Sequence, residues 1–279
     1  MKLPTSLWVW IDPTRRCNLA CDFCYTKDSH SDEDLSPQAF DRYAKRVLES
    51  NIKIRDLTLN WRGEPLMNRE FPEILKLANE RFVESRIQFH TNAMLITEAR
   101  ADALVQASGR AIIYISIDGG NEATHEGNRG SGTYARALAG AMRLLEARRT
   151  SGGPRIVLYQ IDFGLPLSAY DHSFLELAER ADEWIRVSPV TRLKASNDSG
   201  APVARFTDSP QESNRASGGG SANGACFWAG NSISVSPSGD VSICILSHSE
   251  VGVLGNLNHT SVLTAKSHEP RSQLFHVLA

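Results

Sequence analysis

The sequence predicts an α/β protein built on a six-stranded parallel sheet, for three reasons. Short apolar, β-branched runs alternate with longer stretches of helical period. Those runs are nearly continuous in apolar residues, as strands covered on both faces are. The 279 residues, 41% hydrophobic and 22% charged, suffice for one large domain and a small appendage. Right-handed crossovers roll such a sheet toward a barrel.

The first strand is expected over 7–11, the run Leu7-Trp8-Val9-Trp10-Ile11. A helix follows from Pro37 to residue 49, with Ser36 as N-cap and Phe40, Tyr43, Ala44 and Val47 on one face. The second strand is placed at 57–61 and the next helix at 71–83, where Ile74, Leu75, Ala78 and Phe82 share a face. A strand at 87–90 leads to a helix at 98–108, closed by Gly109. The clearest strand is 111–117. The helix at 134–149 ends at Ser151-Gly152-Gly153-Pro154; a strand at 156–161, a helix at 171–181 and a short strand at 184–187 complete the series.

The composition then shifts. Residues 196–225 are rich in Ser, Gly, Asn and Pro, which fits a flexible linker or a lid between a barrel at 1–195 and a unit at 226–279. Within that unit, strands at 232–235 and 240–244 flank Ser236-Pro237-Ser238-Gly239, a hairpin signal.

A formal net charge of -2 and a pI near 6.5 argue against nucleic-acid and membrane-surface partners. No signal peptide and no long apolar span are visible, so a cytoplasmic location is expected. In a reducing compartment, five cysteines mean metal binding or catalysis rather than disulfides.

Three of those cysteines fall together in Cys17-Asn18-Leu19-Ala20-Cys21-Asp22-Phe23-Cys24-Tyr25, on a loop leaving the first strand. Three clustered thiolates suit an iron–sulfur cluster or zinc. A cubane held by three thiolates has one iron with no protein ligand, open to a small molecule. The x3, x2 spacing resembles the signature of the radical S-adenosylmethionine (radical SAM) superfamily, with Thr14 before it and Asn18 and Tyr25 as supporting neighbours.

The resemblance implies an open (βα)6 partial barrel with its active site at the C-terminal strand ends. It implies a [4Fe–4S] cluster on Cys17, Cys21 and Cys24, with SAM chelated to the open iron and cleaved to a 5′-deoxyadenosyl radical. It also implies an electron donor such as flavodoxin or ferredoxin.

Other stretches resemble further family elements. Trp61-Arg62-Gly63-Glu64-Pro65 is similar to a GGEP motif, with Arg62 in place of the first glycine, so Gly63 and Glu64 are expected at the SAM amino group. His90-Thr91-Asn92-Ala93 is similar to a TNG element, with Thr91 or Asn92 toward SAM; Ser116-Ile117-Asp118-Gly119 resembles SIDG, with Ser116 toward the ribose or carboxylate. Arg129, on a loop running 125–130, is expected to pair the SAM carboxylate, and Gln160 and Arg186 to face the barrel interior. Tyr25 completes the cofactor-binding set.

Cys226 and Cys244 bracket the hairpin, and Gly255-Asn256-Leu257 follows, an arrangement that resembles the start of a reduced SPASM/twitch extension. The second cysteine pair of such an extension is absent from the sequence. Cys244, or failing it Cys226, is therefore read as a hydrogen-atom donor or a ligand of a second iron–sulfur cluster. The implied substrate is a small polar natural product, an aminoglycoside or other sugar. Epimerisation at a carbon is favoured over alcohol dehydrogenation, peptide modification and a role as a cluster or zinc scaffold.

Overall fold

The computed structural model describes residues 6–21, 23–24, 26, 30–149, 153–187, 231–242 and 253–259. Tyr25, Cys226, Cys244 and the whole of 196–225 lie outside the described residues.

Six strands run parallel: β1 (Ser6–Ile11), β2 (Lys53–Thr58), β3 (Arg86–Thr91), β4 (Ile112–Ser116), β5 (Arg155–Ile161) and β6 (Glu183–Val187). Between them lie α1 (Pro37–Leu48), α2 (Phe71–Arg81), α3 (Glu98–Ser108), α4 (Glu122–Arg129), α5 (Tyr134–Arg148) and α6 (His172–Arg180). Three further strands follow: β7 (Ser232–Val235), β8 (Asp240–Ser242) and β9 (Val253–Asn256). The spatial order is β6-β5-β4-β3-β2-β1-β7-β8-β9. Each of the first six strands lies beside its sequence neighbour, and the sheet stays open, as a partial barrel requires. The hairpin joins that same sheet: β7 runs parallel to β1, and β8 and β9 continue antiparallel.

Residues paired in register share a face of the sheet. One face carries Val9, Leu57, Ile87, Phe89, Ile113, Ile115, Ile156 and Leu158, all in one core with Phe40, Phe71, Ile74, Leu104 and Leu144 from the helices. Phe71 meets Phe89 edge-on at 4.8 Å. Burying each such side chain contributes about 1.5–3 kcal/mol, which is what fixes helices to this face. The opposite, inner face carries rows of another character. Trp10, Thr58 and Gln88 form one, His90, Tyr114 and Val157 the next, and Ser116, Tyr159 and Ile185 the last.

Register corrects the reading of Gln160 and Arg186. They are paired neighbours, but on the helix-facing side, two residues beyond Leu158 and Trp184. Gln160 is fully buried, donating to the Tyr170 hydroxyl at 3.0 Å and accepting from Trp184 Nε1 at 2.8 Å. Arg186 pairs with Asp162 and lies over Tyr170 and Trp184. Both brace α6 and β6 instead of facing the interior.

Two elements also differ from expectation. β2 begins at Lys53 and ends at Thr58, earlier than the expected 57–61. Exposed Lys53 and Arg55 interrupt the apolar signal at its start, and beyond Leu59 the chain turns out of the sheet toward the cysteine loop. The expected loop at 125–130 is helical, in α4. The Asn121 side chain caps it by accepting from Thr124 N at 3.0 Å, while Gly127 and Asn128 masked its helical character in the sequence.

Candidate functional site

The cysteine loop leaves β1 at Asp12 and returns to α1 at Leu35, and its neck is tied shut. Thr14 Oγ1 donates to Asp34 at 2.6 Å, Leu35 N donates to Pro13 O at 3.0 Å, and Arg15 N donates to Glu33 O at 2.9 Å. Buried Asn68, beyond β2, donates to both Pro13 O and Leu35 O, at 2.7 and 2.8 Å. Arg16 binds Asp34 and the carbonyl of Met67. These bonds give the loop a fixed shape from its own polar groups.

Inside the loop, Cys24 N donates to Cys21 O at 2.9 Å. Cys21 is buried, and Cys17 and Cys24 are half-buried. Burial pushes the Cys17 thiol up to about 12, and the charges of Glu64, Cys21 and Cys24 add to the rise. The Cys21 thiol is raised by burial, opposed by Arg129 and reinforced by Cys24. Each of these shifts includes the charge of a neighbouring thiol, although among the described residues no three His, Cys, Asp or Glu side chains are gathered closely enough to hold a metal ion. Ionising all three thiols requires a cation, which is the condition a soft metal cluster meets.

The segment after β2 packs directly on this loop. A Cβ at Gly63 would lie 2.3 Å from Thr14 O and 2.6 Å from Arg16 O, so only glycine fits there. Glu64 N donates to Arg16 O at 2.9 Å. Arg62, the departure from the expected motif, lays its guanidinium over the Trp61 ring at 3.8 Å and leaves the close approach to Gly63. Glu64 is buried, and its carboxylate accepts from Thr91 Oγ1 at 2.6 Å, Asn92 N at 2.8 Å and Leu66 N at 3.3 Å. A carboxylate offers about four lone-pair sites, so one remains for a further donor. Burial raises the Glu64 pKa, and those three bonds oppose the rise.

Asn92 has a different engagement from the one expected. Its amide donates to Asn18 Oδ1 at 2.9 Å, and its own oxygen accepts from Met94 N at 3.0 Å. The side chain ties the cysteine loop to the end of β3. The next residue, Ala93, has φ +60°, in the left-handed region. Its carbonyl lies against Gly140 of α5, where a Cβ would come within 1.9 Å.

The end of β4 supplies an ionic pair. Asp118, fully buried, accepts from Arg129 Nε at 2.5 Å and from Ile161 N at 3.1 Å. Arg129 also lies over the Phe23 ring at 5.5 Å, inside the cysteine motif. His125 Nδ1 accepts from Asp118 N at 3.1 Å, and burial drives the imidazole pKa down to about 4. Ser116 is buried on the inner face beside Tyr159.

The cysteine loop, the segments after β2 and β3, and the helix α4 are thus tied to one another through Gly63, Glu64, Asn92 and Arg129, and Ser116 ends β4 on the inner face. Gln160 is not among them. Sequence reasoning missed Asn68, Phe23 and the Asp118–Arg129 pair as parts of the site. It also missed His90, Tyr114 and Tyr159, whose shared face depends on strand register.

Residues 11–162 match the family model described as the Radical SAM superfamily. Pre-heme d1 synthase of Dinoroseobacter shibae is 34% identical over 140 residues, covering 49% of this chain and 33% of that protein. The chain spans about a third of the length of the first curated relatives it matches. Among solved structures, native anSMEcpe with bound AdoMet superposes with a TM-score of 0.64 at 17% identity, covering 96% of this chain and 82% of that one. BtrN in complex with AdoMet and 2-DOIA superposes at 0.57 with 13% identity, covering 99% and 88%. At such identities these two likenesses speak for the fold.

Proposed function

The chain belongs to the radical SAM superfamily, and on that premise we propose that it removes a hydrogen atom from a small polar natural product, an aminoglycoside or other sugar-like molecule. Its cofactors are a [4Fe–4S] cluster and SAM. Cys17, Cys21 and Cys24 would hold the cluster. When bound, the pair supplies one-electron cleavage of the sulfonium and so a carbon radical able to take a hydrogen atom.

The chain's own residues prepare the site. Glu64, held by Thr91, Asn92 and Leu66, offers its remaining lone pair to the amino group of SAM. Arg129 has one N–H on Asp118, and the rest of its fork is the intended partner for the carboxylate. Gly63 keeps both at the cysteine loop by its close approach to Thr14 O and Arg16 O.

The inner face carries the substrate reading. Trp8, Trp10, Thr58, Gln88, His90, Tyr114, Ser116 and Tyr159 line it with rings, hydroxyls and amides. Of its paired charges, Asp56 with Arg86 and Arg155 with Glu183, the residues Arg86, Arg155 and Glu183 begin their strands. Flat rings with scattered hydrogen-bonding groups suit a polyhydroxylated ring better than an extended apolar ligand.

The reaction we favour is inversion of a carbon. Cys244, or failing it Cys226, donates the S–H hydrogen to the substrate radical from the opposite face. The sulfur radical left behind takes one electron from a flavodoxin or ferredoxin type of donor and one proton from solvent. Ligation of a second iron–sulfur cluster is the competing use of those thiols, and it goes with dehydrogenation.

The test is turnover of an aminoglycoside in deuterated water by the anaerobically reconstituted protein with SAM and reductant. Inversion by a thiol leaves one deuterium on the product carbon, and a Cys244→Ala variant then forms 5′-deoxyadenosine without inverted product. A carbonyl product without deuterium would replace inversion with dehydrogenation.

A further inference from the structure

The inner face holds one imidazole set apart from its polar neighbours. His90 stacks on Tyr114 with ring centroids 4.5 Å apart and 9° between planes, and Tyr159 meets it edge-on at 5.1 Å. Nearby polar groups are engaged with one another. Gln88 donates its amide to Thr58 at 3.1 Å, and the Asn60 oxygen accepts from the backbone of His90 at 2.9 Å. The His90 ring makes these two aromatic contacts, yet neither nitrogen has a hydrogen-bond partner among the described residues. Nor is either among the side-chain atoms buried without a partner, and the residue is half-buried.

Its height in the sheet matters. Thr91 and Asn92, the next residues, bind Glu64 and the cysteine loop. A strand rises about 3.3 Å per residue, so His90 lies roughly 7 Å below Asn92. Four residues before it on the same strand, Arg86 pairs with buried Asp56. His90 thus stands between an ionic base and the cofactor rim.

We propose that His90 is a substrate-contact residue, whose ring nitrogen hydrogen-bonds a hydroxyl of a polyol ring framed by Tyr114 and Tyr159. This deepens the sugar-like reading above and rests on it. Two aromatic walls orient the imidazole, so a hydroxyl reaching it is read for position as well as chemistry. Burial, and then the charge of Arg129, pushes the His90 pKa down to about 4. The ring is neutral under working conditions, with one donor and one acceptor, which matches a hydroxyl.

Calorimetric titration of the oxidised, SAM-loaded holoenzyme, which does not turn over, tests this with three probes. They are neamine as an aminoglycoside fragment, myo-inositol as a neutral cyclitol, and an unrelated heptapeptide. Wild type is expected to bind neamine or myo-inositol and not the peptide. His90→Phe keeps the aromatic stack and is expected to weaken that binding about tenfold, while His90→Gln restores it to within about threefold. SAM affinity is expected to be equal in all three proteins. Binding by His90→Phe within twofold of wild type would overturn the role of His90 and leave the substrate reading standing. Wild type that binds SAM but neither polyol would overturn the substrate class itself. A His90→Phe variant that also loses SAM would make the residue structural.

Discussion

Gly63→Ala is the sharpest perturbation of the site. The added carbon would lie 2.3 Å from Thr14 O and 2.6 Å from Arg16 O, against an ordinary contact of roughly 3.4 Å. Both obstacles are backbone, and the loop neck is fixed by Asn68 and by the Thr14–Asp34 bond. The loop and the Gly63 segment must separate by about 1 Å. Overpacking of this kind costs about 1–3 kcal/mol, and the reduced freedom of the unfolded chain returns about 0.4–1 kcal/mol. The net loss is about 1–2 kcal/mol, or roughly 2–8 °C in the melting temperature of a domain this size. Catalysis should fall further than stability, because displacement of a positioned group by 1 Å costs on the order of a hundredfold. Thermal melts of the metal-free protein, iron content after reconstitution and the rate of 5′-deoxyadenosine formation measure the three effects. A variant that melts within 1 °C of wild type and makes 5′-deoxyadenosine at the same rate would refute the claim that this close approach builds the site.

Three further outcomes are expected. Arg129→Leu strands the buried carboxylate of Asp118 and should cost about 3–5 kcal/mol in urea unfolding, while adding Asp118→Asn should recover part of it. Ala93→Gly relieves a left-handed backbone worth about 1–2 kcal/mol, less the entropy gained by the unfolded chain, so the melting temperature should rise slightly; a clear fall contradicts the strain. His125 has its folded pKa near 4, below the ordinary 6.5, so the unfolded chain takes up its proton first as pH falls. Its stabilising part is full above 6.5 and is lost toward 4. The stability gap between wild type and His125→Gln should therefore shrink by about 2–3 kcal/mol from pH 7 to pH 4, and a constant gap would contradict a buried neutral ring.

Much of this was legible in the chain because it depends on local physics. α3 ends where Gly109 places it. Ser36 accepts from Ala39 N, as its position before Pro37 suggests. The three thiols are adjacent in sequence, so no long-range contact is needed to foresee them together. α4 was missed because Gly127 and Asn128 are poor helix formers, yet the Asn121 cap and the Arg129–Asp118 pair hold it. The 25–29 stretch, apart from Thr26, and residues 243–252, including Cys244, lie outside the described residues, so the proposed donor role of Cys244 is argued from the sequence alone.

By itself the sequence determined the parallel α/β sheet, the soft-metal loop and the Gly63-Glu64 segment that follows β2, since periodicity and motif spacing are properties of neighbouring residues. Tertiary structure decided which way side chains face. Alternation along β5 sends Tyr159 to the inner face and Gln160 to the helices, and only pairing with β4 and β6 fixes which is which. It also decided partners: Asn92 with Asn18 and Arg129 with Phe23 are far apart along the chain and meet only when the strands lie side by side. Register is set by burial of the whole sheet, a sum over many residues that no single stretch contains.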